Sequence, residues 1–519
     1  MKLSLTIRMS RVPTEKSMGK SHTPGKSGQA VLERDRLKSA PAASLVDSAF
    51  SQELKQQLGL FSAMGLVDLA YTITGINTGI IPAGKGGELL AGLLELHSRP
   101  DSFTPGPEAG DLYTNREAWL RQRTDSVGWL GAGRARREAT TSAFHVLLRQ
   151  RLLELLASLA QFGQALKQRA GDFKQAYVPD YTYLQAAQPT TFGHYLAGFL
   201  YPVFRDCERI QQLYRRVNSS PMGCGSTTGS RLAVDRRQMA DLLGFDALSI
   251  HTRDAMWQPD IPIESAAVFC SCAVNMSRLS EDLQIFSSQG FVLVELADQH
   301  ARASRIMPQK KNPFALTHVR SVCNELMGLM TSVNAMARTP TGQPDNRLWI
   351  YGAVPDAVSN LINAVYLMTD VVLNMELKHE RARELLDDPS IMATDLAETL
   401  VLRGKIDYRS AYELVASLFH GDTEGGIKNI NASILKQAAA AVLGREISIS
   451  DEDIKQALDP GRALEAHTEP GTPALGSMDE MLEGCEKKLQ LIGENAEQGK
   501  QRLLRIEKQL LDTARQYPG

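Results

Sequence analysis

The stretch HVLLRQRLLELLASLAQFGQALKQRA, from His145 to Ala170, decides the fold class. Leu148, Leu152, Leu155, Leu159, Phe162 and Leu166 recur at spacings of three and four, which places them on one helical stripe. Leu147, Leu153 and Leu156 widen the stripe well beyond a narrow two-partner seam. A helix apolar over so much of its girth needs other helices around it. Outward from this stretch, proline is missing between Pro107 and Pro179, Pro262 and Pro308, Pro313 and Pro340, and Pro355 and Pro389. Residues 265–300, 314–338 and 355–378 carry the same helical period. Alternating β-branched runs are few, and no Asn-Gly or Asp-Gly turn joins two of them. The expectation is an all-α protein built on long bundled helices.

At 519 residues the chain exceeds one ordinary core. Composition divides it into a basic tail punctuated by Pro and Gly (1–42), an N-terminal helical part (43–130), a central part holding the long helices (131–388) and a C-terminal part of shorter helices (389–519). The tail is expected to be mobile, and LSLTI within it is too short for a signal-peptide core. Its basic, acid-poor composition also fits an organellar transit peptide, but the cytoplasm is the expected location. The charge-laced helix near the C-terminus is expected to pack on its own part of the chain. A formal net charge of −2 gives no reason to expect nucleic acid as a partner. No uninterrupted apolar run suggests a membrane span. The six cysteines lack metal-ligand spacing, and Cys270-Ser-Cys272 sits in an apolar helical pattern, so buried thiols are expected rather than disulfides. No metal or organic cofactor is expected, because no ligand cluster or phosphate-cradling glycine motif stands at meaningful spacing.

One segment fits neither helix nor strand: SRIMPQKKNP, Ser304 to Pro313. Its prolines fix φ at two points and push the preceding residues away from the α region. Lys310, Lys311 and Asn312 are thereby presented on a constrained loop as donors suited to a carboxylate, or to one gaining charge in a transition state. Ser304 heads the loop after a small-residue run, a candidate nucleophile or base. Read from chemistry alone, the segment fits an anion-binding loop or a solvated connector between helices equally well.

Its wording resembles the GSSxMPxKxNP loop of the fumarase/aspartase superfamily, in the QKKNP form of argininosuccinate lyases. The likeness continues through LSEDLQIFSSQGFVLVELAD before the loop, and SSPMGCGSTTGSRLAVDRRQMADLLGFD is similar to the family's PLGAGALAGT…DR…ELLGFD. YTYLQAAQPTTFGHYL resembles a YTHLQ-AQP-TFGH helix start, GRARREATTSAF resembles GRSRNDQ…T, DLYTNREAWL resembles DIHM-N-E, and ATDLAETLVLRGKIDYRSAY resembles ATDLADYLV-KG-PFR-AH. The matches run in one order over roughly 50–480. They imply a three-domain fold whose long helices form a twenty-helix bundle in a homotetramer, with each active site shared between chains. They also imply anti β-elimination from a succinyl adduct, giving fumarate and an amine. By position, Ser304 matches the base, while Lys310 and Asn312 match residues that hold the carboxylate and Met307 one that shapes the loop. Thr182, Gln185, Gln188 and Arg136 match polar positions around the substrate.

The departures concern the other half of the substrate. The family's acid-side histidine in YTHLQ is Tyr183, and the histidine of DIH is Tyr113. A phenol titrates near ~10 and an imidazole near ~6.5, so the exchange sacrifices proton transfer near neutrality. In GRSRND, Arg137 replaces asparagine and Glu138 replaces aspartate, and Arg305 replaces the loop's second serine. The family's SDRD reads WQPD, and TPTGQPDNR (Thr339 to Arg347) stands where argininosuccinate lyases carry STYNKDLQ. The succinate half is kept, the arginine half is rewritten, and guanidinium groups suited to a further anionic group are added. Three functions compete: a carbon–nitrogen lyase, or the reverse ligation, acting on an N-substituted aspartate other than argininosuccinate; a catalytically silent paralogue with a structural or binding role; and an argininosuccinate lyase that tolerates Tyr183.

Overall fold

The structure, a computed structural model, describes residues 39–339, 348–420 and 429–518. The basic tail up to residue 38 and nearly all of the Thr339–Arg347 stretch lie outside the described residues. Seven long helices carry the architecture: α1 (Phe61–Asn77), α2 (Arg136–Asp172), α3 (Leu200–Val217), α4 (Asp260–Phe286), α5 (Phe314–Ala337), α6 (Ile350–Asn374) and α7 (Leu475–Arg515). The fold is all-α, and among the described residues the strands form only short two-stranded pairings beside the helices.

α2 is central. It packs against α1, α3, α6 and α7, while α4 lies along α5 and also touches α3 and α6. Each of Leu148, Leu152, Leu155, Leu159, Phe162 and Leu166 is buried, as are Leu153 and Leu156, so the broad stripe is covered on several sides at once. All six cysteines are buried.

The helix near the C-terminus departs from expectation. It does not pack within the C-terminal part but runs along α2, burying Met478, Leu482, Cys485, Leu489, Ala496, Leu503 and Leu510. These recur at heptad-like spacing, and Gly163 of α2 lets the two backbones approach, since a Cβ there would stand 2.3 Å from Leu489 Cδ2. A separate smaller core gathers Leu396, Leu400, Leu414, Leu435 and Ile454. Helix Ala43–Asn77 is apolar enough to cross a membrane by composition, yet 78% of its most apolar window is buried inside the fold.

Two further expectations change in detail. The helix expected over 265–300 ends at Phe286, where Ser287-Ser288-Gln289-Gly290 breaks it and Val292 takes φ 53°. The stretch read as a helix start at YTYLQ is instead a β-hairpin, β1 (Tyr177–Thr182) with β2 (Gln185–Thr191). Pro179 and Pro189 face each other across it, and both deny the segment helical hydrogen bonds. Only after Thr191, whose hydroxyl accepts the His194 N–H, does the chain enter a helix.

Candidate active site

The loop from Ser304 to Pro313 is a small ribbon closed at its base by β3 (Arg302–Ala303) and β4 (Lys311–Asn312). Three side chains brace it from below. Lys311 Nζ reaches Asp298 at 2.7 Å and Glu295 at 3.2 Å. His300, buried, pairs through Nε2 with Asp370 of α6 at 2.8 Å, and Asn312 Nδ2 donates to the Arg302 carbonyl at 3.0 Å. The adjacent lysines are thus unequal. Lys311 is committed to the frame, whereas the Lys310 ammonium has no ion-pair partner among the described residues.

Ser304, half-buried, accepts hydrogen bonds at Oγ from Met307 N at 3.1 Å and Ile306 N at 3.4 Å. Backbone N–H groups aimed at this oxygen favour its deprotonated form, which a serine needs in order to act as a base. Met307 and Arg305 are exposed on the rim. Asn312 spends part of its amide on the loop base, leaving its other N–H for a ligand.

The β1–β2 hairpin stands at the same end of the bundle, because Tyr181 packs on both Phe286 and Phe291, residues that lead into the loop. Its two-residue turn is Tyr183-Leu184, with φ 54° and 58°. Paired left-handed residues form a tight hairpin turn normally served by Asn and Gly, and each bulky side chain there costs on the order of 1–2 kcal/mol. The turn leaves Tyr183 99% exposed. Thr182, Gln185 and Gln188 are exposed beside it, and none of these groups hydrogen-bonds to the Ser304 loop within one chain.

Arg136 and Arg137 stand at the other end. They open α2, whose 37 residues separate them from the hairpin end by about 55 Å. Arg136 is half-exposed and holds Asp111 at 2.8 Å. Glu53 shares this cluster: burial, then Asp111, raise its carboxyl above the usual range, and Arg136 and Arg137 oppose that. Beneath lies a buried strut in which Asp68 accepts from Arg116 at 2.8 Å and from Arg134 at 2.7 Å. Tyr113 belongs to this strut and not to the surface. It is buried, the Arg134 guanidinium lies 5.3 Å from its ring, and burial raises its phenol above the ordinary range.

Glu138 was recognisable in the sequence only as an exchanged aspartate, yet it organises this end. Almost fully buried, it accepts the N–H groups of Gly223 at 2.7 Å and Gly225 at 2.6 Å. Burial pushes its carboxyl up to about 7, against those bonds and the nearby Arg134. Two turns along α2, His145 donates to the Val217 carbonyl at 2.8 Å, and burial, aided by Arg149, pushes its imidazole down to about 4. The two shifts act oppositely on stability. With the folded carboxyl raised, Glu138 makes stability fall as pH rises from about 4.5 to 7, and with the folded imidazole lowered, His145 makes stability fall as pH drops from about 6.5 to 4. The slopes offset one another between pH 5 and 6.5. His145→Gln removes one of them, so on going from pH 7 to pH 5 the variant's stability is expected to gain on the wild type's by on the order of 2 kcal/mol. Denaturant midpoints at the two pH values check this.

The residues singled out in the sequence therefore form two groups at opposite ends of one chain. A profile of the Lyase family matches residues 111–328. The argininosuccinate lyase of Methanococcoides burtonii is 30% identical over 467 residues, covering 88% of this chain and 93% of its own. That of Methanosarcina acetivorans is 30% identical over 475 residues, covering 89% and 94%. Among solved structures, a variant of EDDS lyase with bound fumarate superposes with a TM-score of 0.79 at 27% identity, covering 94% of this chain and 99% of its own. With matches of this length, the chain belongs to the fumarase/aspartase superfamily of lyases.

Proposed function

We propose that the protein is a carbon–nitrogen lyase that cleaves an N-substituted aspartate, or forms one in reverse, with fumarate as the unsaturated partner and an amine other than arginine. In the cleavage direction Ser304 Oγ takes the proton from the carbon beside a carboxylate. That electron pair becomes the double bond as the carbon–nitrogen bond opens, and the leaving nitrogen gains a proton. Lys310 and Asn312 hold the carboxylate as charge builds on it, which is where electrostatic stabilisation acts most strongly. Tyr183 stands at the acid side, with Thr182, Gln185 and Gln188 around the substrate and Arg136, Arg137 and Arg305 meeting an additional anionic group. The observation that carries this reading is the Ser304 loop itself, in which one lysine is spent on the frame and its neighbour is left for a ligand.

The protein would act as a homotetramer with shared sites. Tyr183 sits on a strained, fully exposed turn, and the arginines lie a helix length away. A second, antiparallel copy supplies the missing half at each end. The known activities of the relatives, argininosuccinate and EDDS cleavage, support the elimination chemistry. The rewritten arginine half argues for a different amine.

The test is to incubate the purified protein with fumarate and a broad pool of amines, and to search by mass spectrometry for products one fumarate heavier. Argininosuccinate cleavage runs alongside, with Ser304→Ala as the blank. An adduct absent from the blank is expected. A catalytically silent paralogue would show no adduct, no cleavage and no difference from the variant.

A further inference from the structure

Where the superfamily's PLGAGALAGT segment carries Ala-Leu-Ala, this chain carries Ser226, Thr227 and Thr228. Three consecutive apolar side chains have become hydroxyls. Ser226 and Thr228 are exposed and Thr227 half-buried, and none of the three hydroxyls has a hydrogen-bond partner among the described residues. Their backbone, by contrast, is held closely. Gly223, Gly225 and Gly229 all take positive φ, and Gly229 N donates to the Cys224 carbonyl at 2.9 Å. A Cβ on Gly225 would stand 2.6 Å from the Gly229 oxygen, so no other residue fits there. Thr252 Oγ1 donates to the Thr227 carbonyl at 2.9 Å.

Glu138 joins this loop to the arginine end. It is the second residue after Arg136, and its two oxygens take the N–H groups of Gly223 and Gly225. Gly133, just before the arginines, lies against Ser230. Hydroxyls on a fixed backbone offer donors to an oxyanion, and an apolar tripeptide at the same place offers none; Arg136 and Arg137 open the same helix that carries Glu138.

We infer that the Ser226–Thr228 loop reads the amine half of the substrate, selecting an amine whose far end carries a carboxylate, and that Glu138 is the positioning residue that fixes the loop beside Arg136 and Arg137. This rests on the lyase reading above. Glu138 touches no substrate; it acts by holding two glycine N–H groups that an amide in its place would meet partly with donors.

The experiment restores the apolar pattern with Ser226→Ala/Thr227→Leu/Thr228→Ala and measures fumarate addition to carboxylate-tailed amines, each against its amide, for example glutamate against glutamine. The wild type is expected to prefer the acid. In the triple variant the KM for the acid-tailed amine is expected to rise by about 10- to 100-fold, the scale of losing hydrogen bonds to a charged group, while the KM for fumarate moves little. Glu138→Gln is expected to shift the same constant in the same direction, with its Tm recorded so that a folding defect is seen as such. A wild type that makes adducts but does not prefer acids over amides, or a triple variant whose selectivity equals the wild type's, overturns the inference and leaves the lyase reading standing. A wild type that makes no adduct overturns both.

Discussion

Ser304→Ala is expected to lower turnover by at least about a hundredfold, the usual contribution of a positioned base, while fumarate binding survives. The side chain removed is small, and the N–H groups of Ile306 and Met307 that it leaves lie in an exposed part of the loop where water replaces it. The brace below the loop does not involve Ser304 Oγ: Lys311 keeps Asp298 and Glu295, and His300 keeps Asp370. The loss should therefore fall on kcat, not on the fold. Lys310→Met is expected to weaken fumarate binding as well as turnover, because its ammonium has no structural duty to mask the effect. Steady-state rates beside calorimetric fumarate titrations separate the two. Undiminished turnover in Ser304→Ala would move the base to another residue.

Mixing two inactive variants is expected to create activity. Ser304→Ala disables the loop end of the bundle, and Arg136→Ala with Arg137→Ala disables the far end, about 55 Å away along α2. If each site draws one end from one copy and the other end from another, mixed oligomers contain some sites with neither defect. Co-denaturation and refolding of the two variants should give turnover well above either alone, and remixing without unfolding should give less. Activity that never exceeds the sum of the separate variants would mean that one chain folds its own ends together, against the straight run of α2.

Much of the fold is legible in the sequence. The breadth of the α2 stripe announced a surrounded helix, and the loop's two prolines announced a rigid connector. Legibility stopped where a residue's meaning depends on what covers it. Tyr113 stands where the family's DIH carries histidine, and nothing in DLYTNREAWL reveals that it is buried under Arg134. The hairpin was hidden because its turn uses Tyr and Leu where left-handed turns ordinarily advertise themselves with Gly or Asn. The C-terminal helix misled because charge dominates its composition, while a thin heptad stripe decides its partner. Glu138 reads in the sequence as an exchange for the family's aspartate, and only its burial reveals what it holds. The distance between the two groups of candidate residues comes from the full length of α2, of which the apolar stripe covers only a part.

The seam between α2 and α7 also bears on how the molecule comes into being. Gln164 meets Glu486 across 322 residues of chain, and the Tyr517 hydroxyl reaches Asn77 across 440. The central helix emerges from the ribosome with a stripe that stays bare until α7 has been synthesised, at ordinary elongation rates of about 5–20 residues per second. Until that delayed closure, Leu153, Ala160 and Gly163, which meet Gly499, Gly493 and Leu489 of α7, lie on an uncovered face. Nascent chains are therefore expected to depend on holding chaperones, and slowing synthesis between the codons for α6 and α7 should increase aggregation more than slowing it earlier.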